Sequence, residues 1–305
     1  MKKAVTKSRT KAILLTILTL AFILFILLPI SLSIFDGSKI GNVALIPIEG
    51  VITGDGGSYL GQSTTSSKTI VEFIEDAEKD AQIQAIVLEI NSPGGSAVAS
   101  DEIATAIKKS TKPTVALIRE AGASGGYWIA SATNHIIANR MSITGSIGVI
   151  SSYLEFSGLM EKYGVSYERL VAGENKDLGT SFKKLTDEEK LILQKKLNTI
   201  QNFFIEEIAQ NRGLEINQVK KLATGEFYLG VEALEYGLID QLGDKDTVKE
   251  YLKEKTQLDE VDFVTYQTEV SFFDLVSGIF SQMSFDLGRG LGAIFLEQNT
   301  KLMFT

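Results

Sequence analysis

The sequence feature that most restricts the fold is a long apolar run near the start of the chain. Residues 12–35 contain no charged side chain, whereas residues 2–11 carry five basic side chains and no acidic one. A helix of that length rises about 36 Å, enough to cross the hydrocarbon core of a bilayer, which is about 30 Å thick. A basic flank of this kind stays in the cytoplasm. We therefore predict a cytoplasmic segment at 1–11, one transmembrane anchor at 12–35 and an extracytoplasmic location for the rest of the chain.

A cleaved secretory signal is the alternative interpretation of the same run. Signal peptides usually have a shorter apolar region that ends in a small-residue cleavage site, and Ser31-Leu32-Ser33 resembles such a site only weakly. A buried core helix, in turn, rarely tolerates so long a run without a charge. The anchor is therefore the prediction we keep.

Composition removes several classes of function. The formal net charge of −8 and the pI near 5.0 argue against the basic surface that binding to a nucleic-acid backbone requires. The chain has no cysteine, which excludes disulfides, thiolate metal sites and a cysteine nucleophile. Its single histidine, His135, would have to fill every role that needs an imidazole. No histidine and carboxylate residues have metal-ligand spacing, so no metal or other cofactor is expected.

From residue 42 onward, short β-rich runs alternate with helical patterns, which is typical of an α/β domain with a parallel sheet. The predicted strands are 43–48, 85–90, 113–118, 135–138, 147–150 and 167–171, and the predicted helices are 69–79, 100–109, 154–163 and 186–212. In the last helix, Thr186 and Glu189 have the spacing of a capping box, and Gly213 marks the end. One α/β domain is therefore the simplest prediction.

Two glycine-bracketed turns follow predicted strands, at the edge where open α/β sheets present functional groups. They are Asn-Ser-Pro-Gly-Gly-Ser at 91–96 and Gly-Ala-Ser-Gly-Gly-Tyr at 122–127. The second turn puts Ser124 at the start of a helix, where free N–H groups favour developing negative charge. Backbone amides of Gly94 or Gly95 and of Gly125 could bind the oxyanion that a serine nucleophile generates. Tight turns without a catalytic role are the alternative.

The general base is harder to identify. His135 lies in a predicted strand with no acid nearby in the sequence to orient it, so we interpret it as structural. A lysine amine can replace the imidazole when burial lowers a lysine pKa from about 10.4 toward neutrality. Lys176 lies in the glycine-bounded loop 173–179 after a predicted strand. By itself, such a lysine would be taken for a solvated surface residue.

Taken in order, these motifs resemble the signal peptide peptidase A family. The motifs are Asn91-Ser-Pro-Gly-Gly-Ser, Ala123-Ser-Gly-Gly-Tyr-Trp-Ile-Ala, Thr144-Gly-Ser-Ile-Gly-Val-Ile, Lys176-Asp and Gly230-Val-Glu-Ala-Leu-Glu-Tyr-Gly-Leu-Ile-Asp. The resemblance implies a Ser/Lys peptidase domain at 42–255, with repeated β-β-α units and a parallel sheet as in Clp protease and the crotonases. It also implies Ser124 as the nucleophile, Lys176 as its base and Ser146 as the hydroxyl that holds the lysine amine. Lys183 and Lys184 are the fallback bases.

The resemblance also bears on assembly and substrate. The family has a long form whose two tandem domains contribute the serine and the lysine separately, whereas this chain has one domain. A single domain must either fold both groups together or borrow the lysine from a neighbour, and the family's ring-like assemblies favour the second. We therefore predict a ring-shaped homo-oligomer that degrades signal-peptide remnants and other short or unfolded peptides at the membrane. Residues 256–305 are predicted to form a C-terminal strand and an amphipathic tail.

Two rival functions belong to other classes. A membrane-anchored assembly protein could keep the fold without activity, but the presence of Ser124, Lys176 and Ser146 argues against it. A crotonase-like acyl-CoA enzyme would use the same pair of amides on a thioester. Such enzymes are normally soluble and use carboxylates as acid and base, so the predicted anchor and the lysine argue against this function.

Overall fold

The computed structural model describes three stretches of the chain: residues 15–27, 41–59 and 62–268. The contacts divide the chain into one unit made of both ends, Met1–Lys39 with Gln267–Thr305, and a second unit, Ile40–Tyr266. The second unit contains the whole of the domain predicted at 42–255.

In the unit made of both ends, residues 15–22 are α-helical and Ile23–Leu27 forms a π-helical turn. No helix within the described stretches is both long enough and apolar enough to cross a membrane. The predicted cytoplasmic segment 1–11, both ends of the predicted anchor 12–35 and the tail from residue 269 onward lie outside the described residues. The anchor and the tail therefore stay predictions.

The unit Ile40–Tyr266 alternates strands with helices along most of its length. Its strands are β1 (Val43–Thr53), β2 (Gly57–Tyr59), β3 (Gln62–Ser66), β4 (Ala85–Gly95), β5 (Thr114–Ala123), β6 (His135–Ala138), β7 (Ile143–Gly145), β8 (Phe227–Leu229), β9 (Gln241–Leu242) and β10 (Phe263–Thr265). Its helices are α1 (Ser67–Lys79), α2 (Ala97–Lys109), α3 (Gly125–Ser131), α4 (Ser157–Lys162), α5 (Asp187–Arg212), α6 (Ile216–Leu222), α7 (Gly230–Glu235) and α8 (Lys245–Thr256). The predicted capping box of Thr186 and Glu189 begins α5, and Gly213 ends it with φ 62°.

The strands form one sheet whose centre is parallel. Its order is β2-β3-β1-β4-β5-β6-β9, with β10 beside β1 and with β7 joined to both β5 and β8. The β2–β3 and β7–β8 pairs are antiparallel. Residues of α1, α2, α3 and α5 cover one face of the central strands, and α8 covers the other. Continuous apolar runs such as residues 85–88 are typical of parallel strands buried on both faces. The α/β prediction with a mainly parallel sheet is confirmed.

Two of the predicted strands are wrong. Residues 147–150 and 167–171 are not in strands, and the strand in this part of the chain is β7, which ends at Gly145. It ends there because Gly145 and Ser146 have φ 72° and 49°, which takes the backbone out of the extended region. Residues 167–171 are exposed, and no described strand pairs with them. The helix predicted before them is also shorter, Ser157–Lys162.

Candidate active site

Ser124 lies at the junction between the end of β5 and the start of α3. Its backbone has φ 52° and ψ −122°, a conformation that costs a non-glycine residue strain energy. Its N–H donates to the Gly145 carbonyl at 2.8 Å, and its own carbonyl accepts from the Trp128 N–H at 2.9 Å. The hydroxyl makes no capping hydrogen bond to the helix. The turn therefore presents this half-buried hydroxyl where free helix N–H groups favour negative charge.

The first glycine segment lies directly against Ser124, and it is not the separate turn predicted after residue 90, because β4 continues through it to Gly95. A Cβ atom on Gly94 would lie 2.7 Å from the Gly125 nitrogen and 2.9 Å from the Ser124 Cβ, so a larger residue would separate the two segments. Gly94 also has φ 100°, which favours glycine. Its N–H donates to the buried Ser92 hydroxyl at 3.0 Å. Gly94 therefore lets the end of β4 touch the turn of Ser124, but its amide is already bonded and is not free for a substrate oxyanion.

Gly95 is the better-placed donor of the two glycines. Gly95 of β4 lies opposite Ile52 of β1, and the N–H of the next residue, Ser96, donates to the Ile52 carbonyl at 2.8 Å. Because successive N–H groups of a strand point to opposite sides, the Gly95 N–H points away from β1 and toward the turn of Ser124. The Gly95 nitrogen lies 3.3 Å from where a Cβ on Gly125 would be. The Gly125 N–H begins α3 and has no acceptor inside the helix. These two amides form the pair suited to a developing oxyanion.

Gly95→Ala is expected to destabilise the domain as well as the site. The added Cβ would lie 2.1 Å from the Ile52 carbonyl oxygen, a backbone atom that cannot rotate away. We expect the free energy of unfolding to fall by about 3 kcal/mol, at the upper end of overpacking costs. Denaturant unfolding followed by Trp128 fluorescence measures it. Gly54→Ala, where an added Cβ meets nothing within 4 Å, is the matched control, and equal midpoints for both variants would contradict the contact.

Ser146 lies beside the carbonyl group that holds Ser124. It directly follows Gly145, and its own N–H donates to the Glu226 carbonyl at 2.9 Å. Its hydroxyl donates to the Gly225 carbonyl at 3.2 Å, which leaves the lone pairs of the hydroxyl oxygen for a second donor. The structure thus places both predicted serines on one hydrogen-bonded stretch of backbone.

Tyr228 supports that stretch, a role that its neighbours in the sequence do not indicate. A Cβ on Gly145 would lie 2.7 Å from the Tyr228 ring, so the ring packs directly against this backbone. The Tyr228 hydroxyl donates to the Leu222 carbonyl at 3.0 Å, and burial raises the pKa of the phenol, which keeps it protonated. The pairing of β7 with β8 brings these residues together across a long stretch of chain, which no local pattern indicates.

Lys176 is not joined to Ser124 within one chain. It lies in a turn in which its N–H donates to the Gly173 carbonyl at 3.1 Å, and its side chain is exposed. Within the part of the chain that the structure describes, its amine makes no hydrogen bond or ion pair. The single chain therefore assembles the two serines and the two amides but leaves the predicted base apart from them.

The two fallback lysines differ in their charge environment. Lys183 Nζ lies 2.6 Å from Glu189 Oε1 and 3.5 Å from Asp177 Oδ1. The hydrogen bond to Glu189 raises the pKa of Lys183, which makes its amine a poorer proton acceptor. Lys184 is exposed and makes no ion pair among the described residues. The geometry therefore disfavours Lys183 as a base. It favours Lys176, whose amine forms no ion pair with a carboxylate among the described residues.

His135 lies at the opposite end of the sheet from Ser124. It pairs with Val115 near the start of β5, whereas Ser124 follows the end of that strand, a separation of about 30 Å at 3.3 Å per residue. The imidazole stacks on Tyr251 with centroids 3.9 Å apart, and its Nδ1 lies 3.8 Å from an Asp240 carboxylate oxygen. An acid is thus near in space although none is near in sequence. Among the described residues, no three His, Cys, Asp or Glu side chains are grouped to hold a metal ion.

Comparison with known proteins finds related sequences over most of the chain. A sequence model of peptidase family S49 matches residues 106–259, a range that contains Ser124, Ser146 and Lys176. A protein of Methanocaldococcus jannaschii assigned as a protease is 31% identical over 276 residues, covering 88% of this chain and 88% of the relative. A protein of Enterococcus faecium assigned as a signal peptide peptidase is 32% identical over 242 residues, covering 78% of this chain and 70% of the relative. Protease 4 of Haemophilus influenzae is 34% identical over 205 residues, covering 66% of this chain and 33% of the relative.

Proposed function

This chain belongs to peptidase family S49 and, within it, to the signal peptide peptidase A proteins, and we propose that it is a membrane-anchored serine endopeptidase with a Ser124/Lys176 dyad. The observation that carries the proposal is the strained backbone of Ser124 beside the amides of Gly95 and Gly125. Strain of this kind persists where the surrounding structure imposes it, most often at functional sites. The mainly parallel sheet supports a fold related to Clp protease and the crotonases.

The proposed chemistry is acyl transfer through a covalent intermediate. The Ser124 Oγ attacks the carbonyl carbon of a peptide bond while the neutral Lys176 amine takes the hydroxyl proton. The Gly95 and Gly125 N–H groups donate to the oxyanion, and the resulting lysine ammonium gives its proton to the leaving amine as the C–N bond breaks. Water then attacks the ester by the reverse sequence and releases Ser124. Ser146 would accept a hydrogen bond from the lysine and hold it in position.

We propose that the lysine comes from a second copy of the chain. A segment at residues 150–171, just before the Lys176 loop, exposes large apolar side chains, among which Leu170 is 98% and Ile150 85% exposed. Such a patch is rare on a monomer and is usually covered by a partner. A second copy is the partner that would bury it and carry Lys176 toward a neighbouring Ser124. Repetition of this contact would close a ring.

The proposed substrates are signal-peptide remnants and other short or unfolded peptides. The name of the Enterococcus faecium relative supports this substrate class. The uncharged run at 12–35, with basic residues before it, supports a single-pass anchor with a cytoplasmic N-terminus and an extracytoplasmic catalytic domain. An anchored peptidase in that place would meet peptides left in the membrane after secretion.

Mixing two inactive variants tests the proposal. Oligomers of the full-length Ser124→Ala and Lys176→Ala variants are dissociated into subunits, mixed in equal amounts and reassembled. Cleavage of a fluorogenic peptide by the mixture is then measured. Random mixing around a ring should restore about a quarter of parental activity, since about one interface in four combines an intact serine with an intact lysine.

The control mixture replaces Lys176→Ala with the double variant Ser124→Ala/Lys176→Ala, which should restore nothing. No recovery from the first mixture would contradict a dyad shared between subunits and place both groups in one chain. If the parent protein neither cleaves peptides nor reacts with a serine-directed probe, a non-catalytic role in assembly becomes the favoured function.

A further inference from the structure

The loop that carries Lys176 is held by ionic hydrogen bonds from both of its sides. Arg169 donates to the two Asp177 carboxylate oxygens at 2.6 and 2.8 Å and to the Glu174 carbonyl at 2.6 Å. Lys183 Nζ lies 3.5 Å from the same Asp177 carboxylate, whose side chain is 12% exposed. Because Asp177 directly follows Lys176, these bonds fix the backbone that carries the lysine.

The same network ties the loop to the start of α5. The Lys183 amine donates to Glu189 Oε1 at 2.6 Å, and the other oxygen of that carboxylate accepts from the Thr186 N–H at 2.9 Å. The Glu189 N–H in turn donates to the Thr186 hydroxyl at 3.1 Å. Glu189 is itself buried, and the later part of α5 packs Phe204 and Ile208 into the core. The exposed Lys176 is thereby connected to the body of the domain.

The charges in this network cancel. Its members, here called the loop clamp, are Arg169, Asp177, Lys183 and Glu189. The hydrogen bonds from Arg169 hold the pKa of Asp177 at about 2, so this carboxylate is charged at neutral and alkaline pH. The other acid of the loop, Glu174, is exposed. An uncompensated carboxylate next to Lys176 would favour its ammonium form and oppose proton acceptance.

We propose that the loop clamp positions Lys176 for the active site of a neighbouring subunit and neutralises the carboxylate beside it. This inference rests on the proposed function, in which Lys176 is the general base for Ser124. The clamp residues are positioning residues, since they act through Lys176 and do not touch the substrate. The clamp has both tasks because Asp177 is adjacent to Lys176, and because the two cationic partners of Asp177 neutralise its carboxylate.

The pH dependence of kcat in two full-length variants tests the proposal. Arg169→Gln leaves Asp177 undercompensated, which favours the ammonium, so the midpoint of the pH profile should move to higher pH by roughly half a unit. Asp177→Asn leaves excess positive charge, which disfavours the ammonium, so the midpoint should move to lower pH. Loosening the loop should also lower kcat about ten-fold in both variants and change KM less than about two-fold.

Lys183→Gln removes the other cation and should shift the midpoint in the same direction as Arg169→Gln. The direction of the shift can therefore still be measured if one of these two variants fails to assemble. Lys190→Gln is the matched control. This variant breaks an exposed ion pair, 3.2 Å long, between Lys190 and Asp187, both in α5 and outside the loop clamp. It should keep the parental kcat, KM and midpoint of the pH profile.

Two results would contradict different claims. Midpoint shifts of the same sign in Arg169→Gln and Asp177→Asn, or parental pH profiles in both, would overturn the role of the loop clamp. If Lys176→Ala is inactive at the same time, the proposed function still stands. A fully active Lys176→Ala variant would overturn the proposed function itself.

Discussion

Ser124→Ala is expected to reduce peptide hydrolysis roughly 10⁴-fold or more, because the variant lacks the oxygen proposed to attack the substrate carbonyl. The measurement is cleavage of an unstructured fluorogenic peptide by the full-length protein in detergent micelles. A fluorophosphonate probe should label the parent at Ser124 and leave the variant unlabelled. Labelling that persists at another serine would contradict the assignment of the nucleophile.

The stability of the same position provides the control. The Ser124 hydroxyl makes no capping bond, so Ser124→Ala should unfold at the parental denaturant concentration. Ser124→Gly should be equally inactive but should gain about 1 kcal/mol in the free energy of unfolding, because glycine adopts φ 52° without strain. A large loss of stability in Ser124→Ala would mean that its inactivity is structural.

Lys176→Ala is expected to lower kcat about 10³-fold, within the range that general bases contribute. Lys184→Ala should keep parental activity, since that exposed lysine makes no ion pair among the described residues. Lys183→Ala should give only a partial loss, because Lys183 acts through the ion pairs with Asp177 and Glu189. Activity that survives in Lys176→Ala and disappears in Lys184→Ala would move the base to Lys184.

The parental rate should also depend on pH in a defined direction. A lysine accepts a proton only as the neutral amine, so kcat should rise with pH as the ammonium loses its proton and then level off. The residual rate of Lys176→Ala should lack this rise. A parental rate that does not change between about pH 6 and pH 10 would contradict a lysine base.

Local features of this chain are predictable because they depend on neighbours within a few residues. The capping box of Thr186 and Glu189 and the glycine at position 213 bound α5 as predicted, since helix caps act within a single turn. Ser124 likewise falls at the predicted strand-to-helix junction, where Gly125 and Gly126 leave room for close neighbours that a Cβ atom would displace. The strand predicted at 167–171 fails because a β-rich run forms a strand only when another strand pairs with it.

Local patterns predict Ser124 as the candidate nucleophile, and the resemblance to a known family implies Lys176 and Ser146, but neither predicts the contacts that these residues make in the fold. Strand register decides that the Gly95 amide turns away from β1 and toward Ser124, because Ser96 is the residue that donates to the Ile52 carbonyl. Pairing of β7 with β8 decides that Tyr228 supports the backbone that binds Ser124. These contacts join residues that are distant in sequence, and their geometry depends on the direction of each N–H group and side chain in the folded sheet, which residue types alone do not specify.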